Sequence, residues 1–287
     1  MKFFIVDAFT EQPFGGNTAG VVILPSREFP ADDWMQQVAA ELRYSETAFV
    51  RQDGPAAFTV RYFTPNGEVD LCGHATIATF GTLFQEGIVP AGVPCLNHTK
   101  AGDLEVIPGE KVMMQMAAPQ RVSVIDDPEK RAALLYAMGG LHPGDLAPFP
   151  VEIISTGLPD IILPVCDDIT LHRLQPRMDD LAHLSKRLNV VGVHAFAADF
   201  APEEPIHVRN FAPRYAIPEE SATGTANGAL TGYLYLQGQL VPGDSCTFLQ
   251  GEAMGRPSRI YTQIELREGQ PDIRVGGPSV IVARGEI

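Results

Sequence analysis

A sixteen-residue segment of this chain occurs twice, and this duplication restricts the folds that the chain can adopt. Residues 72–87 align without gaps on residues 223–238, and average residue usage gives roughly one match in such a window. Six aligned pairs are identical: Gly73/Gly224, Ala75/Ala226, Ala78/Ala229, Gly81/Gly232, Leu83/Leu234 and Gly87/Gly238. Upstream, Arg61–Pro65 and Arg209–Pro213 also correspond. Two copies are too few for a solenoid, so we expect two related domains that share a site in the groove between them.

Each copy predicts a helix that begins directly after its Gly-rich loop, just after Cys72-Gly73 in the first copy and after Thr223-Gly224 in the second. The first backbone N–H groups of a helix have no intrahelical acceptor, and the aligned peptide dipoles add partial positive charge there. Such an end binds anions, and small loop residues let a substrate approach the backbone. Two ordinary buried helices whose glycines only assist packing are the alternative, but the duplication favours a paired anion site.

Composition narrows the classes of function. The 287 residues suit two domains of ordinary size, and a formal charge of −14 without a basic tract argues against nucleic-acid binding. No apolar run resembles a signal peptide or a membrane span, so we expect a cytosolic protein that does not bind membranes. The four cysteines lack CxxC spacing and the seven histidines lack HxxxH spacing, which predicts neither disulfides nor a metal.

Short apolar or alternating runs between Gly, Pro and Asn turns predict mainly strands. They lie at Phe3–Phe9, Ala19–Leu24, Glu46–Arg51, Phe58–Phe63, Leu104–Ile107, Val112–Met116, Val151–Ser155, Ile161–Val165, Val190–Ala197, His207–Phe211, Ser245–Leu249, Arg259–Leu266 and Ser279–Ala283. Further helices are expected at Ala31–Glu41, near Pro128–Ala137 and near Asp179–Leu188. Many strands and one long internal helix per half predict an α+β fold with each sheet curled around its helix. The Pro-rich stretch Ala118–Val124 is the predicted boundary.

Several side chains near the first copy can move a proton. Glu46 stands at the head of an apolar strand, where burial would raise its pKa and make it an acid or base near neutrality; a solvated strand-edge carboxylate is the alternative. His74 follows the loop glycine, and Cys72 is either a thiolate at a helix N-terminus or a buried spectator. In the second copy the corresponding residues are Thr223 and Thr225, while Glu219 and Glu220 supply carboxylates.

These residues belong to a series of motifs that resembles the PhzF family, named for phenazine biosynthesis. The motifs are Val6-Asp-Ala-Phe-Thr, Gly16-Asn-Thr-Ala-Gly-Val-Val, Leu42-Arg-Tyr-Ser-Glu-Thr-Ala-Phe, Phe63-Thr-Pro, Leu71-Cys-Gly-His-Ala-Thr, Phe211-Ala-Pro, Ala222-Thr-Gly-Thr-Ala-Asn-Gly and Gln250-Gly-Glu-Ala-Met-Gly-Arg-Pro-Ser. The resemblance implies a diaminopimelate epimerase-like fold of two pseudo-symmetric domains, each a curled, mostly antiparallel sheet around a central helix. The expected domains are residues 1–118, with a returning strand at about 278–287, and residues 119–277. It also implies a homodimer.

The resemblance implies roles as well. Glu46 would shuttle a proton between carbons of a 2,3-dihydro-3-hydroxyanthranilate-like carboxylate, with His74 and Glu220 as further catalytic residues and no cofactor. The implied substrate-binding residues are Asn17, Ser45, Cys72, Gly73, Thr223, Gly224, Thr225 and Ala226. The chain departs from the usual Glu-Asp-Pro-Ala-Thr-Gly-Ser motif at Glu220 and Thr225, which keep the chemical type but change the geometry.

Two other functions compete with this isomerase. An amino-acid racemase or epimerase needs a base on each face of the carbon, typically two thiols, and Cys72 has only Thr223 at its duplicate position. A non-catalytic protein that binds small acids is disfavoured by the presence of Glu46 and His74.

Overall fold

The computed structural model describes residues 1–26, 28–201 and 204–287, and the chain divides into two compact units. The first unit comprises Met1–Gln115 and Gly276–Ile287, and the second comprises Met116–Val275. The sequence placed the boundary after residue 118 and the returning strand at about 278.

The first unit contains nine strands and two helices in its described residues. The strands are β1 (Lys2–Ala8), β2 (Asn17–Ile23), β3 (Glu46–Gly54), β4 (Ala57–Thr64), β5 (Gly67–Val69), β6 (Cys95–Thr99), β7 (Gly102–Ile107), β8 (Val112–Gln115) and, at the far end of the chain, β18 (Ser279–Glu286). The helices are α1 (Asp32–Leu42) and α2 (Gly73–Gln85). Pairing runs β18–β1–β2–β3–β4–β6–β7–β8, antiparallel except for β2–β3 and β4–β6, and β5 pairs antiparallel with β4.

Helix α2 is the central helix of this unit. Every residue from His74 to Leu83 is buried, which is the pattern of a helix enclosed on all sides, and it packs against β1, β2, β3, β8 and β18. Its small residues let the strands approach closely, since a Cβ added at Gly81 would lie 1.9 Å from Ser279 Oγ. On the other face of the sheet, α1 covers Val22, Phe49 and Phe63 with Met35 and Ala39.

The second unit repeats this construction. Its strands are β9 (Gln120–Val124), β10 (Glu152–Ser155), β11 (Pro159–Val165), β12 (Val193–Ala197), β13 (Ile206–Ala212), β14 (Ile217–Glu220), β15 (Ser245–Gln250), β16 (Ser258–Arg267) and β17 (Gln270–Gly277), whose last two residues belong to the first unit. Its helices are α3 (Pro128–Ala137), α4 (Asp168–His172), α5 (Met178–Leu188) and α6 (Gly224–Leu236). Short 3-10 turns lie at Pro143–Asp145, Pro213–Tyr215 and Glu252–Met254.

The strand pairing of the second unit follows that of the first. It runs β9–β10–β11–β12–β13–β15–β16, with β14 antiparallel to β13 and with parallel pairs only at β11–β12 and β13–β15. The first unit has the same strand order and the same strand directions in β18–β1–β2–β3–β4–β6–β7, with β5 antiparallel to β4. The duplication seen in the sequence therefore extends over each whole unit, and the α+β class is confirmed.

Helix α6 is the central helix here, packed against β10, β11, β12 and β16. A Cβ at Gly232, the duplicate of Gly81, would lie 2.4 Å from Cβ of Pro119. The other face of the sheet carries α3, α4 and α5 over a large apolar cluster that includes Leu134, Leu163 and Leu181.

Each unit also contains an equivalent ion pair that the sequence did not indicate. Arg61 binds both carboxylate oxygens of Glu68 at 2.7 Å, and Arg209 binds both of Glu219 at 2.8 Å. Each guanidinium lies over the Phe two residues ahead, Phe63 or Phe211. The duplicated Arg-x-Phe motif is therefore a structural clamp, and Glu219 is a partner of Arg209.

Two expectations about the elements were wrong, and some strands were not predicted. Most of the stretch predicted as the boundary, Ala118–Val124, is strand β9, which pairs with β10 although its side chains are exposed. Residues 190–192 precede strand β12 because α5 ends at Asn189 in a left-handed conformation and the chain must turn first. Strand β14, at 217–220, was not predicted from the sequence. In the described part of the chain, no helix is long and apolar enough to cross a membrane.

Candidate active site

Glu46 is the first residue of β3, and the parallel pairing of β2 with β3 places it beside Ala19. Its Oε2 lies 3.2 Å from Nε2 of His74, the second residue of α2. The side chain of His74 is 5% exposed and that of Glu46 is 16% exposed, so the pair is largely shielded from solvent. A strand start and a helix start thus bring together two of the three residues predicted as catalytic.

Three more predicted site residues surround the imidazole of His74. Asn17 Nδ2 lies 3.3 Å and Cys72 Sγ 3.4 Å from its Nδ1, while Ser45 Oγ lies 3.3 Å from its Nε2. Asn17 begins β2, Ser45 precedes β3 and Cys72 is the N-cap of α2. Five of the predicted residues therefore form one cluster in the first unit, which we call the Glu46 cluster.

The electrostatics of the Glu46 cluster correct one expectation. Burial of Glu46 does favour its protonated form, but hydrogen bonds from His74, Ser45 and Cys72 outweigh burial and hold its pKa below the ordinary value. Burial opposes protonation of His74, yet Cys72 and Glu46 raise the pKa of its imidazole well above the ordinary value. Glu46 and His74 therefore each favour the charged form of the other. The expected raised pKa of Glu46 was wrong because the sequence did not show that His74 contacts it.

Cys72 is a neutral thiol in this environment. Burial, with the charge of Glu46 adding to it, raises the pKa of its thiol to about 11, although His74 acts in the opposite direction. Of the two possibilities that the sequence left open, a thiolate at the helix N-terminus is not the resting form.

One oxygen of Glu46 has unused acceptor capacity. Oε2 is buried and accepts no hydrogen bond of good geometry from any described residue, even though His74 Nε2 is close. Buried carboxylate oxygens are normally hydrogen-bonded, so an exception calls for a functional explanation. This lone pair is available to take a proton.

The remaining predicted residues belong to the second unit, around the start of α6. Thr223 Oγ1 donates to Glu220 Oε2 at 2.6 Å. Gln250 holds both residues, because its Nε2 donates to Glu220 O at 2.7 Å and to Thr223 Oγ1 at 3.0 Å, while its Oε1 accepts from Thr223 N at 3.2 Å. Asn227 Nδ2 donates to Gln250 Oε1 at 2.9 Å. Gln250 and Asn227 stand in motifs that carry the family resemblance, yet the sequence analysis gave them no role.

Behind this network lies a histidine that was also missed. His194 is fully buried, with Nε2 3.3 Å from Asn227 Oδ1 and Nδ1 3.3 Å from Asn210 Nδ2. Burial lowers the pKa of its imidazole to about 4, against the opposing effect of the Asn227 bond. A neutral imidazole between two amides supports the α6 loop and is not an acid or base near neutrality. No short motif marks such a residue in the sequence.

Both central helices begin without a side-chain cap among the described residues. Threonine is a good N-cap, but the Thr223 hydroxyl is bound to Glu220 instead. Gly224 and Ala226 are buried and have no polar side chain, so only their backbone groups could bind a ligand. The carbonyl oxygen of Thr225 accepts a hydrogen bond from Thr156 Oγ1 at 3.0 Å. Gly73 has room around it, since an added Cβ would meet only Met114 Cε, at 3.6 Å.

The matching strand registers show what replaces the Glu46 cluster in the second unit. Thr47 lies opposite Phe63 and Val193 lies opposite Phe211, so Gly192 occupies the position of Glu46. A side chain cannot be added there, because a Cβ on Gly192 would lie 1.8 Å from Phe211 O. The duplicates of Cys72 and His74 are Thr223 and Thr225.

The Glu46 cluster also contains a donor set for a metal ion. One ligand atom each of Glu46, Cys72 and His74 lies within 4.8 Å of the other two.

Comparison with known proteins agrees with this site and fold. The model of the family PhzC-PhzF, described as phenazine biosynthesis-like protein, matches residues 6–285. The chain belongs to this family. It is 34% identical over 300 residues to an uncharacterized isomerase of Clostridium acetobutylicum, covering 100% of this chain and 97% of that protein.

Solved structures support the same assignment. The Bacillus anthracis phenazine biosynthesis protein of the PhzF family superposes with a TM-score of 0.87 at 27% identity, covering 100% of this chain and 98% of that one. A probable proline racemase from Agrobacterium radiobacter superposes with a TM-score of 0.65 at 14% identity, covering 100% and 92%, and this likeness concerns the fold alone. The protein is thus a PhzF-family isomerase with the fold that the resemblance implied.

Proposed function

We propose that this PhzF-family protein moves a proton between two carbons of a small, conjugated carboxylate without a cofactor, and that Glu46 carries the proton. The observation that carries this proposal is the largely buried pair of Glu46 and His74, whose Oε2 and Nε2 lie 3.2 Å apart. The compound class is that of 2,3-dihydro-3-hydroxyanthranilate, in which conjugation acidifies the carbon that loses the proton.

The proton transfer conserves electrons. Glu46 takes a proton from one carbon, the electron pair of the broken C–H bond shifts through the conjugated system, and a new C–H bond forms at another carbon with the proton that Glu46 returns. His74 remains an imidazolium 3.2 Å from the carboxylate, keeps Glu46 ionised before the reaction and stabilises negative charge on the substrate. No oxidant or reductant is consumed.

The anionic group of the substrate needs local donors, because the chain carries a formal charge of −14. The uncapped N-termini of α2 and α6 supply backbone N–H groups, and charge-assisted hydrogen bonds contribute about 1.5–3 kcal/mol each. Recognition of one carboxylate by both loops is the prediction that the duplicated sequence makes. The sequence also predicts Glu220 and Thr225 as site residues, and Gln250 Nε2 donates to Glu220 O and to Thr223 Oγ1.

A two-base racemase is less consistent with this chain. Such an enzyme needs a second acid–base group of suitable pKa, and the second unit has Gly192, Thr223 and Thr225 where the first has Glu46, Cys72 and His74. Cys72 itself is a neutral thiol whose pKa is about 11.

The decisive experiment compares Glu46→Gln with Glu41→Gln, an exposed glutamate of α1 in the same unit. Purified proteins would be incubated with conjugated and saturated carboxylic acids in deuterated water, and exchange and isomerisation followed by NMR. General acid–base groups contribute ~100- to 10,000-fold, so we expect turnover by E46Q to fall at least that far while substrate binding survives and E41Q stays normal. Near-normal isomerisation by E46Q would reject Glu46 as the proton carrier.

A further inference from the structure

We propose that Asp7, a buried carboxylate outside the Glu46 cluster, is a positioning residue that holds the loop between β1 and β2 so that Asn17 meets His74. The inference rests on the proposed function, because it assigns a support to the histidine beside the proton carrier. Asp7 is 2% exposed and stands near the end of β1, whereas Asn17 is the first residue of β2. Residues 9–16 form the loop that joins the two strands.

The carboxylate of Asp7 is bonded on both sides of Asn17. Its Oδ2 accepts a hydrogen bond from the backbone N–H of Phe14 at 2.7 Å, and its Oδ1 accepts one from Thr18 Oγ1 at 2.5 Å. Asp7 lies opposite Thr18 in the pairing of β1 with β2, so the two side chains share one face of the sheet. Loss of either bond would leave a buried polar group unsatisfied, so both bonds resist movement of the segment that carries Asn17.

The loop needs such bonds because its backbone is strained. Phe9 and Phe14 adopt left-handed conformations, with φ of 64° and 73°, although neither is glycine. Gly16 has a φ of 62°, and a Cβ added there would lie 2.1 Å from Ala8 O. Strained conformations persist only where surrounding contacts enforce them, and they cluster at functional sites. The two hydrogen bonds of Asp7 are contacts of this kind.

The strained loop places Asn17 on the opposite face of the sheet. Successive side chains of a strand alternate between its faces, so Asn17 points away from Thr18, and its Nδ2 lies 3.3 Å from His74 Nδ1. The hydrogen bond at one imidazole nitrogen determines the orientation of the ring and the proton on the other nitrogen. Here the other nitrogen is Nε2, which lies 3.2 Å from Glu46 Oε2. Asp7 therefore supports, from the far face of the sheet, the ring that contacts the proton carrier.

Asp7→Asn tests this role, because asparagine keeps the shape of aspartate but has one acceptor oxygen in place of two. Nitrogen NMR of isotopically labelled protein reports on the imidazole rings directly. The chain has seven histidines, and the signals of His74 are those that His74→Gln loses. We expect the His74 signals of D7N to shift, since the amide of Asn17 moves. This measurement requires no turnover and is independent of the result with E46Q.

Asp53→Asn is the matched control. The carboxylate of Asp53 also accepts a hydrogen bond from a threonine hydroxyl at 2.5 Å, that of Thr59, but it lies at the end of β3 opposite to Glu46. We expect the His74 signals of D53N to match those of the parent. If D7N does not fold, Thr18→Val decides, because it removes one bond to Asp7 and keeps the β-branched shape; its His74 signals should also shift.

Turnover gives a second measurement. Misplacement of a catalytic group by about 1 Å costs ~100-fold in rate, so kcat of D7N should fall roughly 10- to 100-fold while KM changes far less. The proposal is overturned if the His74 signals of folded D7N or T18V match the parent, or if those of D53N shift as much as those of D7N. Unaltered kcat in D7N while E46Q is impaired also overturns it. Normal turnover by E46Q would instead reject Glu46 as the proton carrier, and the nitrogen signals would still decide the role of Asp7.

Discussion

Replacing the duplicated glycines of the two central helices by alanine should give unequal results. A Cβ at Gly232 would lie 2.4 Å from Cβ of Pro119, a ring atom that cannot rotate away, so the full penalty of overpacking, about 3 kcal/mol, applies. Alanine is the better helix former by about 1 kcal/mol, which leaves Gly232→Ala about 2 kcal/mol less stable than the parent. At Gly81 the nearest atom is Ser279 Oγ, which can turn to another rotamer. We therefore expect Gly81→Ala to stay within about 1 kcal/mol of the parent.

Differential scanning calorimetry measures this difference. A loss of 2 kcal/mol corresponds to a fall in Tm of about 4–8 °C for a unit of this size. Pro119→Gly removes the opposing ring, so combining it with Gly232→Ala should be better than the sum of the two single changes by at least about 0.5 kcal/mol. The reasoning is refuted if G232A is as stable as the parent, if G81A loses more than G232A, or if the two changes at 119 and 232 are additive.

Three other predictions concern single residues. Burial, with the charge of Glu220, raises the pKa of Asp160 to about 7 despite a hydrogen bond from Gly192. The contribution of Asp160 to the free energy of unfolding is therefore complete below about pH 4 and is lost as the pH rises through about 7. Urea unfolding at several pH values should show this fall in the parent and not in Asp160→Asn, and an equal fall in both proteins would contradict the prediction. Because the Cys72 thiol is neutral, Cys72→Ser should lose far less turnover than the ~100-fold expected for E46Q, whereas complete loss would favour a one-thiol racemase. Gln250→Ala removes the hydrogen bond that Gln250 Nε2 donates to Glu220 O, so KM should rise while the circular dichroism spectrum stays that of the folded parent. An unaltered KM would show that Gln250 does not support substrate binding.

The sequence predicted the features that depend on local pattern. The duplicated Gly-rich loops located the starts of both central helices to within one residue, since the helices begin at Gly73 and Gly224 and were expected just after them. Motif matches brought Glu46, His74, Ser45, Cys72 and Asn17 into one candidate site, and the structure brings these five into contact.

What the sequence did not predict depends on contacts between distant residues. The pKa of Glu46 falls instead of rising because His74, far along the chain, lies against it. Gln250, Asn227 and His194 form a buried polar network whose members come from β15, α6 and β12, and no spacing in the sequence connects them. Strand β9 lies in the Pro-rich stretch that was predicted as the boundary, and its pairing with the distant β10 leaves no mark in the local sequence.

The position of β1 between β18 and β2 has a consequence for synthesis of the protein. Strand β1 is made long before residues 279–286, which cover one of its two edges. The second unit is a continuous segment, residues 116–275, and can be complete while the first still exposes an open strand edge, which is a template for aggregation. Domains of a nascent chain generally fold from the N-terminus onward. Here the unit that holds Glu46 cannot be complete until residues 279–286 have been made, after the whole of the second unit.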